Sequence, residues 1–164
     1  MAYGCIYRTP VTFDDIVMTS DGEVLTSLHF VNGGKMEYSP QKLPIFDDVC
    51  RWLDVYFSGQ EPDFTPKYRI DNATPFRRKV LGIVQQIPFG KTMTYGEIAS
   101  QIAQYHGIEK MSAQAVGGAV GWNPIGIIVP CHRVLGANNN LTGYGGGIRN
   151  KIELLKVEGH TLLY

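Results

Sequence analysis

The sequence predicts an α+β fold, in which a small sheet with one helix precedes a mainly helical region. In the first 66 of the 164 residues, short apolar runs flank a turn signal, which is typical of paired strands. Through most of residues 67–164, apolar residues instead recur at helical spacing. Between the two patterns, residues 58–66 contain two prolines and a glycine and resemble a linker. We therefore predict an N-terminal α/β domain over residues 1–66 and a C-terminal domain over residues 67–164.

A β-hairpin and one helix account for the N-terminal region. Residues 16–18 and 24–31 are apolar and flank the segment 20–22, whose Ser-Asp-Gly sequence favours a tight turn. Pro44 then stands where a helix begins, since the first helical position needs no backbone N–H. The spacing that follows predicts an apolar stripe formed by Ile45, Phe46, Val49, Leu53, Tyr56 and Phe57.

Four helices are predicted in the C-terminal region, and the second and third form a helix-turn-helix variant. Residues 74–75 (Thr-Pro) are typical of a helix start, and residues 94–97 have the form of a capping box. A short helix begins at Ser112, after a connection over about residues 105–111 that is longer than a tight turn. The last helix ends at Gly159, and its predicted apolar face consists of Ile148, Ile152 and Leu155.

The helix that begins at Ser112 is built from small residues. Apart from Gln114, residues 113–120 are only alanine, glycine and valine. Gly117 and Gly118 each cost about 1 kcal/mol of helix stability relative to alanine. Small residues let another surface approach the helix backbone closely. That surface is either a neighbouring helix of the same protein or a narrow groove such as the DNA minor groove, and the pattern leaves both open.

Charged residues are distributed unequally along the chain. Residues 1–66 contain four basic and ten acidic residues, a net charge of −6, whereas residues 67–164 contain eleven basic and five acidic residues, a net charge of +6. A basic region suits a polyanionic partner such as nucleic acid. Attraction between two oppositely charged surfaces of one protein explains the pattern equally well.

Composition and sorting signals favour a protein of the cytoplasm. The chain is 44% hydrophobic and 18% charged, which excludes a disordered or fibrous protein. Three cysteines are too few, and odd in number, for a disulfide framework, so we expect a reducing compartment. The sequence has no apparent signal peptide, and its longest aliphatic run is far shorter than a membrane helix.

The strongest chemical signal is a cysteine followed by a histidine. An apolar run over residues 125–129 leads to Pro130, Cys131 and His132. Cysteine reacts as its thiolate, which nearby positive charge or a histidine favours. Because adjacent side chains point apart, His132 would act on Cys131 through water, and a carboxylate, for which Glu158 is the candidate, would fix its tautomer. Spacing alone equally allows a core cysteine beside a surface histidine.

Five segments of the C-terminal region resemble one protein family. Residues 75–160 are similar to O6-alkylguanine–DNA alkyltransferases, also called methylated-DNA–protein-cysteine methyltransferases, in the segments 115–119 (AVGGA), 123–124 (NP), 130–134 (PCHRV), 143–146 (GYGG) and 158–160 (EGH). The first 66 residues match only in general character, as the family's variable N-terminal domain of ribonuclease-H-like fold. For the C-terminal domain the resemblance implies a winged-helix-like arrangement that contains the helix-turn-helix.

The resemblance implies a single-turnover methyltransferase that repairs DNA without a cofactor. In the family, an alkylated guanine is flipped out of the duplex into a pocket, and its alkyl group is transferred irreversibly to a cysteine. Here Cys131 would be the nucleophile, and His132, supported by Glu158, would accept its proton through water. Tyr95 would donate to the leaving guanine, and Asn123 would hold the turn between the recognition helix and an active-site strand.

The resemblance also assigns binding residues. The backbone carbonyls of Cys131 and Val134 would accept the guanine amino group, and Tyr144, Gly145 and Gly146 would wall the pocket. The recognition helix of a monomer would enter the minor groove of double-stranded DNA and contact mostly phosphates. The residues expected at the DNA are Ser112, Ala113, Gln114, Ala115, Gly117, Gly118 and Arg133.

Several features depart from the common pattern of the family. Gln114 stands where an arginine usually fills the gap left by the flipped base, so we expect weaker or slower flipping. Gly145 replaces a serine of some relatives, which would widen the pocket, and Lys110 in the long connection could reach a phosphate. Some relatives bind zinc in the N-terminal domain, but Cys5 and His29 are isolated in the sequence, so we expect no metal site.

Two other functions remain open on the sequence alone. A non-catalytic binder of alkylated DNA would mark lesions for another repair pathway, and Gln114 leaves this alternative open although Cys131 is present. A cysteine hydrolase or acyl transferase would use the same Cys131 and His132. Such an enzyme would need neither the helix of small residues nor the basic C-terminal region.

Overall fold

A computed structural model describes residues 2–31, 38–141 and 143–161, and these residues form two sheets and five α-helices. The strands are β1 (Tyr3–Tyr7), β2 (Ile16–Ser20), β3 (Leu25–Phe30), β4 (Ser39–Pro40), β5 (Met93–Thr94) and β6 (Val134–Leu135). The helices are α1 (Pro44–Phe57), α2 (Pro75–Val84), α3 (Tyr95–His106), α4 (Ala113–Gly121) and α5 (Ile148–Val157). Two short 3-10 helices cover Cys131–Arg133 and Ala137–Asn139.

The larger sheet has the strand order β3-β2-β1-β4 and lies in the N-terminal region. Strand β2 pairs antiparallel with both β1 and β3, while β4 pairs parallel with β1. All five residues of the central strand β2 are buried. The side chain of Asp21 closes the turn between β2 and β3, because its Oδ1 accepts hydrogen bonds from the backbone N–H groups of Glu23 and Val24. The predicted hairpin is therefore confirmed.

The helices begin at the residues that the sequence predicts. Pro44 is the first residue of α1, and the side chains of Thr74, Thr94 and Ser112 each accept a hydrogen bond from a backbone N–H in the first turn of α2, α3 and α4. Helix α3 ends at Gly107, whose positive φ of 64° suits glycine. No helix within the described ranges is long and apolar enough to cross a bilayer.

Strand β3 connects the N-terminal region to the segment that carries Cys131. The backbone N–H of Leu28 donates to the Pro124 carbonyl, and the N–H of Gly126 donates back to the Leu28 carbonyl, both over 2.9 Å. One hydrophobic cluster also includes residues from β2, β3, α1, α2, α3, α4 and α5. These contacts hold β3 beside the segment that carries Cys131. The domain boundary near residue 67 stays a prediction.

Residues 125–129 do not form the expected active-site strand. They form consecutive tight turns, in which the Ile128 N–H donates to the Gly126 carbonyl and the Val129 N–H donates to the Ile125 carbonyl. Ile127 has a positive φ of 66°, which a strand does not allow. The physical reason is local, because the Asn123 side chain binds backbone groups at both ends of this run and overrides its β propensity.

Candidate active site

Cys131 is the first residue of a 3-10 helix, and the side-chain amide of Asn123 holds it in place through hydrogen bonds. Asn123 Nδ2 donates to Cys131 Sγ over 3.1 Å and to the carbonyls of Val129 and Ile125 over 3.0 and 3.2 Å. Only 7% of the cysteine residue is exposed. Burial raises the pKa of the Cys131 thiol, while the hydrogen bond from Asn123 and the charge of Lys151 act in the opposite direction. The resting thiol is therefore protonated.

A buried network of four side chains lies next to the cysteine. His132 Nε2 is 2.6 Å from Glu158 Oε2, and Arg133 Nε donates to Glu158 Oε1 over 2.8 Å. The hydroxyl of Tyr56 donates to Glu158 Oε2 over 2.7 Å. The backbone N–H of Gly90 also donates to Glu158 Oε1, over 2.8 Å. Glu158 thus accepts hydrogen bonds from four groups, which compensate for the loss of water around a buried carboxylate.

Glu158 is the ionised member of this network and His132 is neutral. Burial alone would raise the pKa of Glu158, but hydrogen bonds and charge from His132 and Arg133 lower it to about 2. Burial lowers the pKa of His132, although Glu158 opposes that effect. The neutral imidazole donates its Nε2 hydrogen to Glu158, so Nδ1 carries the lone pair. That Nδ1 atom is buried and has no hydrogen-bond partner among the described residues.

A cavity of about 700 Å³ opens in front of Cys131 and beside α4. Tyr95, at the start of α3, and Gly143 both line the cavity, and the Tyr95 hydroxyl donates to the Gly143 carbonyl over 3.2 Å. Strand β3 supplies a further wall through Leu28, His29 and Phe30. The cavity brings together nine of the residues singled out in the sequence, namely Tyr95, Ala113, Gln114, Gly117, Asn123, Cys131, Tyr144, Gly145 and Gly146.

Seven of the residues singled out in the sequence are not part of the cavity lining, namely Ser112, Ala115, Gly118, His132, Arg133, Val134 and Glu158. The carbonyl of Val134, in β6, accepts a hydrogen bond from Lys151 Nζ over 2.7 Å, and Val134 is not part of the cavity lining. Arg133 is directed inwards rather than towards a DNA surface, because its guanidinium binds Glu158 and the Ile87 carbonyl. With 8% of the residue exposed, Arg133 serves the buried network.

The glycines of α4 are not required by packing within the protein. A Cβ atom added to Gly118 would meet nothing within 4 Å, and one added to Gly117 would lie 3.9 Å from the Tyr95 ring, an ordinary contact. Gly118 is exposed, as are Ser112 and Ala115. Helix–helix packing therefore does not explain Gly118, which leaves the backbone of α4 open to an external surface.

Sequence reasoning missed Lys151 and the function of Tyr56 in the site. Lys151 is fully buried in α5, and burial lowers its pKa to about 8. The predicted apolar face of α5 is correct at Leu155 but wrong at Ile148, which is 41% exposed, and it omitted the buried residues Asn150, Lys151 and Leu154. A signal was present, since Lys151 is spaced at helical intervals from Leu154, Leu155 and Glu158. Tyr56 was placed only in the apolar stripe of α1.

The described residues offer no evident metal site. All three cysteines are free, and Cys131 is the one that lines the cavity. In the described ranges, no three His, Cys, Asp or Glu side chains come together as a metal ion would require.

Comparison with known proteins assigns the family. Residues 75–160 match a family model described as 6-O-methylguanine DNA methyltransferase, DNA binding domain. A methylated-DNA–protein-cysteine methyltransferase of Methanosarcina acetivorans is 38% identical over 161 residues, which cover 96% of this chain and 98% of that protein. The chain belongs to the methylated-DNA–protein-cysteine methyltransferase family. The resemblance based on five sequence segments, and the enzyme class it implies, are thereby confirmed.

Solved structures of family members have the same fold as this methyltransferase. The crystal structure of Mycobacterium tuberculosis OGT in complex with DNA matches with a TM-score of 0.81 at 37% identity, covering 95% of this chain and 92% of that chain. An O6-methylguanine DNA methyltransferase from Methanococcus jannaschii matches with a TM-score of 0.64 at 30% identity, covering 98% and 96%. The predicted α+β fold class is confirmed.

Proposed function

We propose that this family member repairs alkylated DNA by direct reversal, transferring an alkyl group from O6 of guanine to Cys131. The observation that carries the proposal is the position of the Cys131 thiol, which lines a cavity beside α4 while a histidine–carboxylate pair is buried next to it. The cavity gives a flipped base access to sulfur, and the pair supplies a proton acceptor. The thioether product is stable, so each molecule reacts once.

The transfer begins with removal of the thiol proton. Because burial raises the pKa of Cys131, a base is needed, and His132 Nδ1 accepts the proton through a water molecule. The thiolate attacks the alkyl carbon, so that an S–C bond forms as the C–O6 bond breaks and its electron pair stays on the guanine. Tyr95 donates a hydrogen bond to the departing base. Glu158 stabilises the imidazolium, and no cofactor takes part.

Helix α4 is the recognition helix in this proposal. Its small residues let the backbone lie close to the minor groove of double-stranded DNA, and the flipped base enters the cavity on the same side. Tyr144, Gly145 and Gly146 would then wall the base, and an amide N–H of the glycine pair would bind O6. The residues proposed to lie at the DNA are Ser112, Ala113, Gln114, Ala115, Gly117 and Gly118.

Positive charge at the cavity mouth supports DNA as the partner. The Arg77 guanidinium, in the first turn of α2, lies 4.5 Å from the ring centroid of Trp122, which lines the cavity. The ion pairs formed within the described part of the chain do not include Arg77. A cation in a first helical turn is unfavourable without a counter-charge. A phosphate of the lesion-bearing strand would supply that charge.

We further propose that the protein acts as a monomer with domains over residues 1–66 and 67–164. Stoichiometric transfer needs only one copy of the cavity. Three free cysteines favour a reducing compartment, and a DNA substrate favours the cytoplasm, where the protein would associate with the nucleoid.

Mass spectrometry of the peptide containing Cys131 tests the proposed reaction. After incubation with a duplex that contains O6-methylguanine, this peptide should gain one methylene unit, whereas an unmodified duplex and the Cys131→Ser protein should give no change. The same assay with O4-methylthymine decides whether that base is a second substrate. Tight binding of lesion DNA with an unmodified Cys131 would instead support the non-catalytic binder, which the neutral Gln114 favours. Repeated turnover of an ester would support a hydrolase.

A further inference from the structure

Tyr56 connects the N-terminal region to the histidine–carboxylate pair. It lies in α1, is fully buried, and its ring stacks on Trp52 and meets the His132 ring edge-on at a centroid distance of 6.3 Å. Its hydroxyl is 2.7 Å from Glu158 Oε2 and 3.3 Å from His132 Nε2. The three atoms therefore form one triangle of hydrogen-bonding groups.

The chemistry of the three groups fixes the direction of each hydrogen bond. An ionised Glu158 only accepts, so both the Tyr56 hydroxyl and His132 Nε2 donate to its Oε2 atom. A phenol has one hydrogen, and once it is donated to Glu158 the Tyr56 oxygen can only accept. His132 Nε2 lies 3.3 Å away, so its single hydrogen, directed mainly to Glu158 Oε2 at 2.6 Å, is shared with the Tyr56 oxygen. Tyr56 and Glu158 therefore both favour the tautomer in which Nδ1 carries the lone pair.

We infer that Tyr56 is a positioning residue for alkyl transfer: through its contacts with Glu158 Oε2 and His132 Nε2 it holds His132 in its proton-accepting tautomer and moderates the negative charge that Glu158 presents to the imidazole. The inference rests on the proposed function and extends it, because it gives the N-terminal region a part in the chemistry. The packed ring fixes where the hydroxyl lies, so the position of α1 is transmitted to the base.

Charged and titratable groups surround His132 from every neighbouring element. Glu158 favours the imidazolium, whereas Arg133 and Lys151 disfavour a second positive charge. Without the Tyr56 hydroxyl, Glu158 would lose a donor and act more strongly on His132, so the pKa of His132 would rise. At the acidic end of the profile of transfer rate against pH, a smaller fraction of His132 would then be neutral and able to accept a proton. The charged and titratable groups around the imidazole are Tyr56, Arg133, Lys151 and Glu158.

The test compares Tyr56→Phe with wild-type protein and with Tyr7→Phe. Tyr7 is a matched control because its hydroxyl also donates to a carboxylate, Asp54 Oδ1, over 2.6 Å, and it is not part of the cavity lining. Single-turnover transfer from O6-methylguanine DNA is measured against pH. Tyr56→Phe should be about tenfold slower at neutral pH, as expected for one lost hydrogen bond to a charged group. The acid limb of the rate–pH profile of Tyr56→Phe should move to higher pH, while its DNA affinity stays unchanged. Tyr7→Phe should match wild type in both quantities.

An equal fall in rate at every pH, with an unmoved acid limb, would show that Tyr56 only supports packing and would overturn the inference. If wild-type protein transfers no alkyl group, the proposed function itself fails, which is a different result. Should Tyr56→Phe not fold, 3-fluorotyrosine incorporated at position 56 keeps the ring and makes the hydroxyl a stronger donor. That protein should shift the acid limb to lower pH, and an unmoved limb would again overturn the inference.

Discussion

Among single residues, the group that reacts is separate from the groups that prepare it. A thiol whose pKa is raised by burial is a weak nucleophile until a base removes its proton. In the proposed mechanism the base is His132, which is fully buried beside the cavity and is paired with Glu158. On this proposal, the reactivity of Cys131 depends on residues that do not touch the substrate.

Glu158→Gln should slow alkyl transfer by roughly 100-fold while leaving DNA affinity nearly unchanged, because a neutral amide cannot stabilise the imidazolium. Single-turnover kinetics and equilibrium binding of a lesion duplex measure the two quantities. Glu153→Gln is the matched control, since Glu153 lies in α5, the helix that Glu158 directly follows, and pairs with Lys156. Equal losses of rate and affinity in Glu158→Gln would remove this residue from the mechanism.

Gln114→Arg should strengthen DNA binding about tenfold, corresponding to one added charged contact (~1.4 kcal/mol), and should raise the repair rate. Gln114 is exposed in the first turn of α4 and lines the cavity, so an arginine there can enter the gap left by the flipped base. Gln60→Arg, at an exposed site in the N-terminal region, adds the same charge as a control. If affinity and rate both fall, Gln114 makes a specific contact of its own.

Among the elements, α4 contains glycines that lower its helix stability and that, in the proposed function, leave its backbone accessible to DNA. Gly118→Ala should raise the free energy of unfolding by about 0.5–1 kcal/mol, because alanine is the better helix former and the space is open. Gly118→Leu should weaken DNA binding roughly tenfold by holding the backbone away from the groove. Gly82→Leu, at a similarly open glycine of α2, is the control. Unchanged DNA affinity in Gly118→Leu would show that the α4 backbone does not lie against DNA at Gly118.

Helix α2 should contribute to DNA binding through Arg77. The slope of log binding constant against log salt concentration should decrease in magnitude by about 0.9 in Arg77→Gln, the value for one lost phosphate contact. Arg51→Gln tests the same chemistry elsewhere, since Arg51 lies 5.5 Å from the ring centroid of Phe64 in the N-terminal region. An identical slope for Arg77→Gln and wild type would exclude Arg77 from the interface.

In the whole molecule, the buried charge network couples stability to pH. The pKa of Glu158 is about 2 in the folded protein, below its ordinary value of 4.5. Its contribution is therefore complete above the ordinary value and is lost as pH falls towards 2. The lost free energy of unfolding is about 3 kcal/mol. Denaturant titrations from pH 5 to pH 2 should show the difference between wild type and Glu158→Gln shrinking, and a constant difference would contradict this assignment.

Features set by neighbours in the sequence could be predicted, and those set by distant contacts could not. The helix starts and the hairpin turn depend on hydrogen bonds within a few residues, and they were correct. The inward direction of Arg133 depends on its hydrogen bond to Glu158, 25 positions away. The turns over residues 125–129 depend on side-chain hydrogen bonds of the nearby Asn123, which periodicity does not reveal and which override the β propensity of that run. The bond from Tyr56 to Glu158 joins residues 102 positions apart, which periodicity cannot reveal.

The candidate site was predicted in parts. Motif resemblance identified Cys131, His132 and Glu158, and the structure brings His132 and Glu158 within 2.6 Å of each other. The wall formed by β3 and the buried Lys151 were not predicted. Both depend on how the N-terminal sheet and α5 pack around the 3-10 helix Cys131–Arg133. Such packing leaves only a weak periodic signal in the sequences of β3 and α5.

Counting the alkyl groups removed by each protein molecule gives the decisive test of transfer to Cys131. The protein is incubated to completion with a large excess of duplex that contains radiolabelled O6-methylguanine. Removal should stop at one methyl group per molecule, with all transferred label on the Cys131 peptide. Continued removal beyond that plateau, or label recovered as a small product in solution, would contradict suicidal transfer to this cysteine.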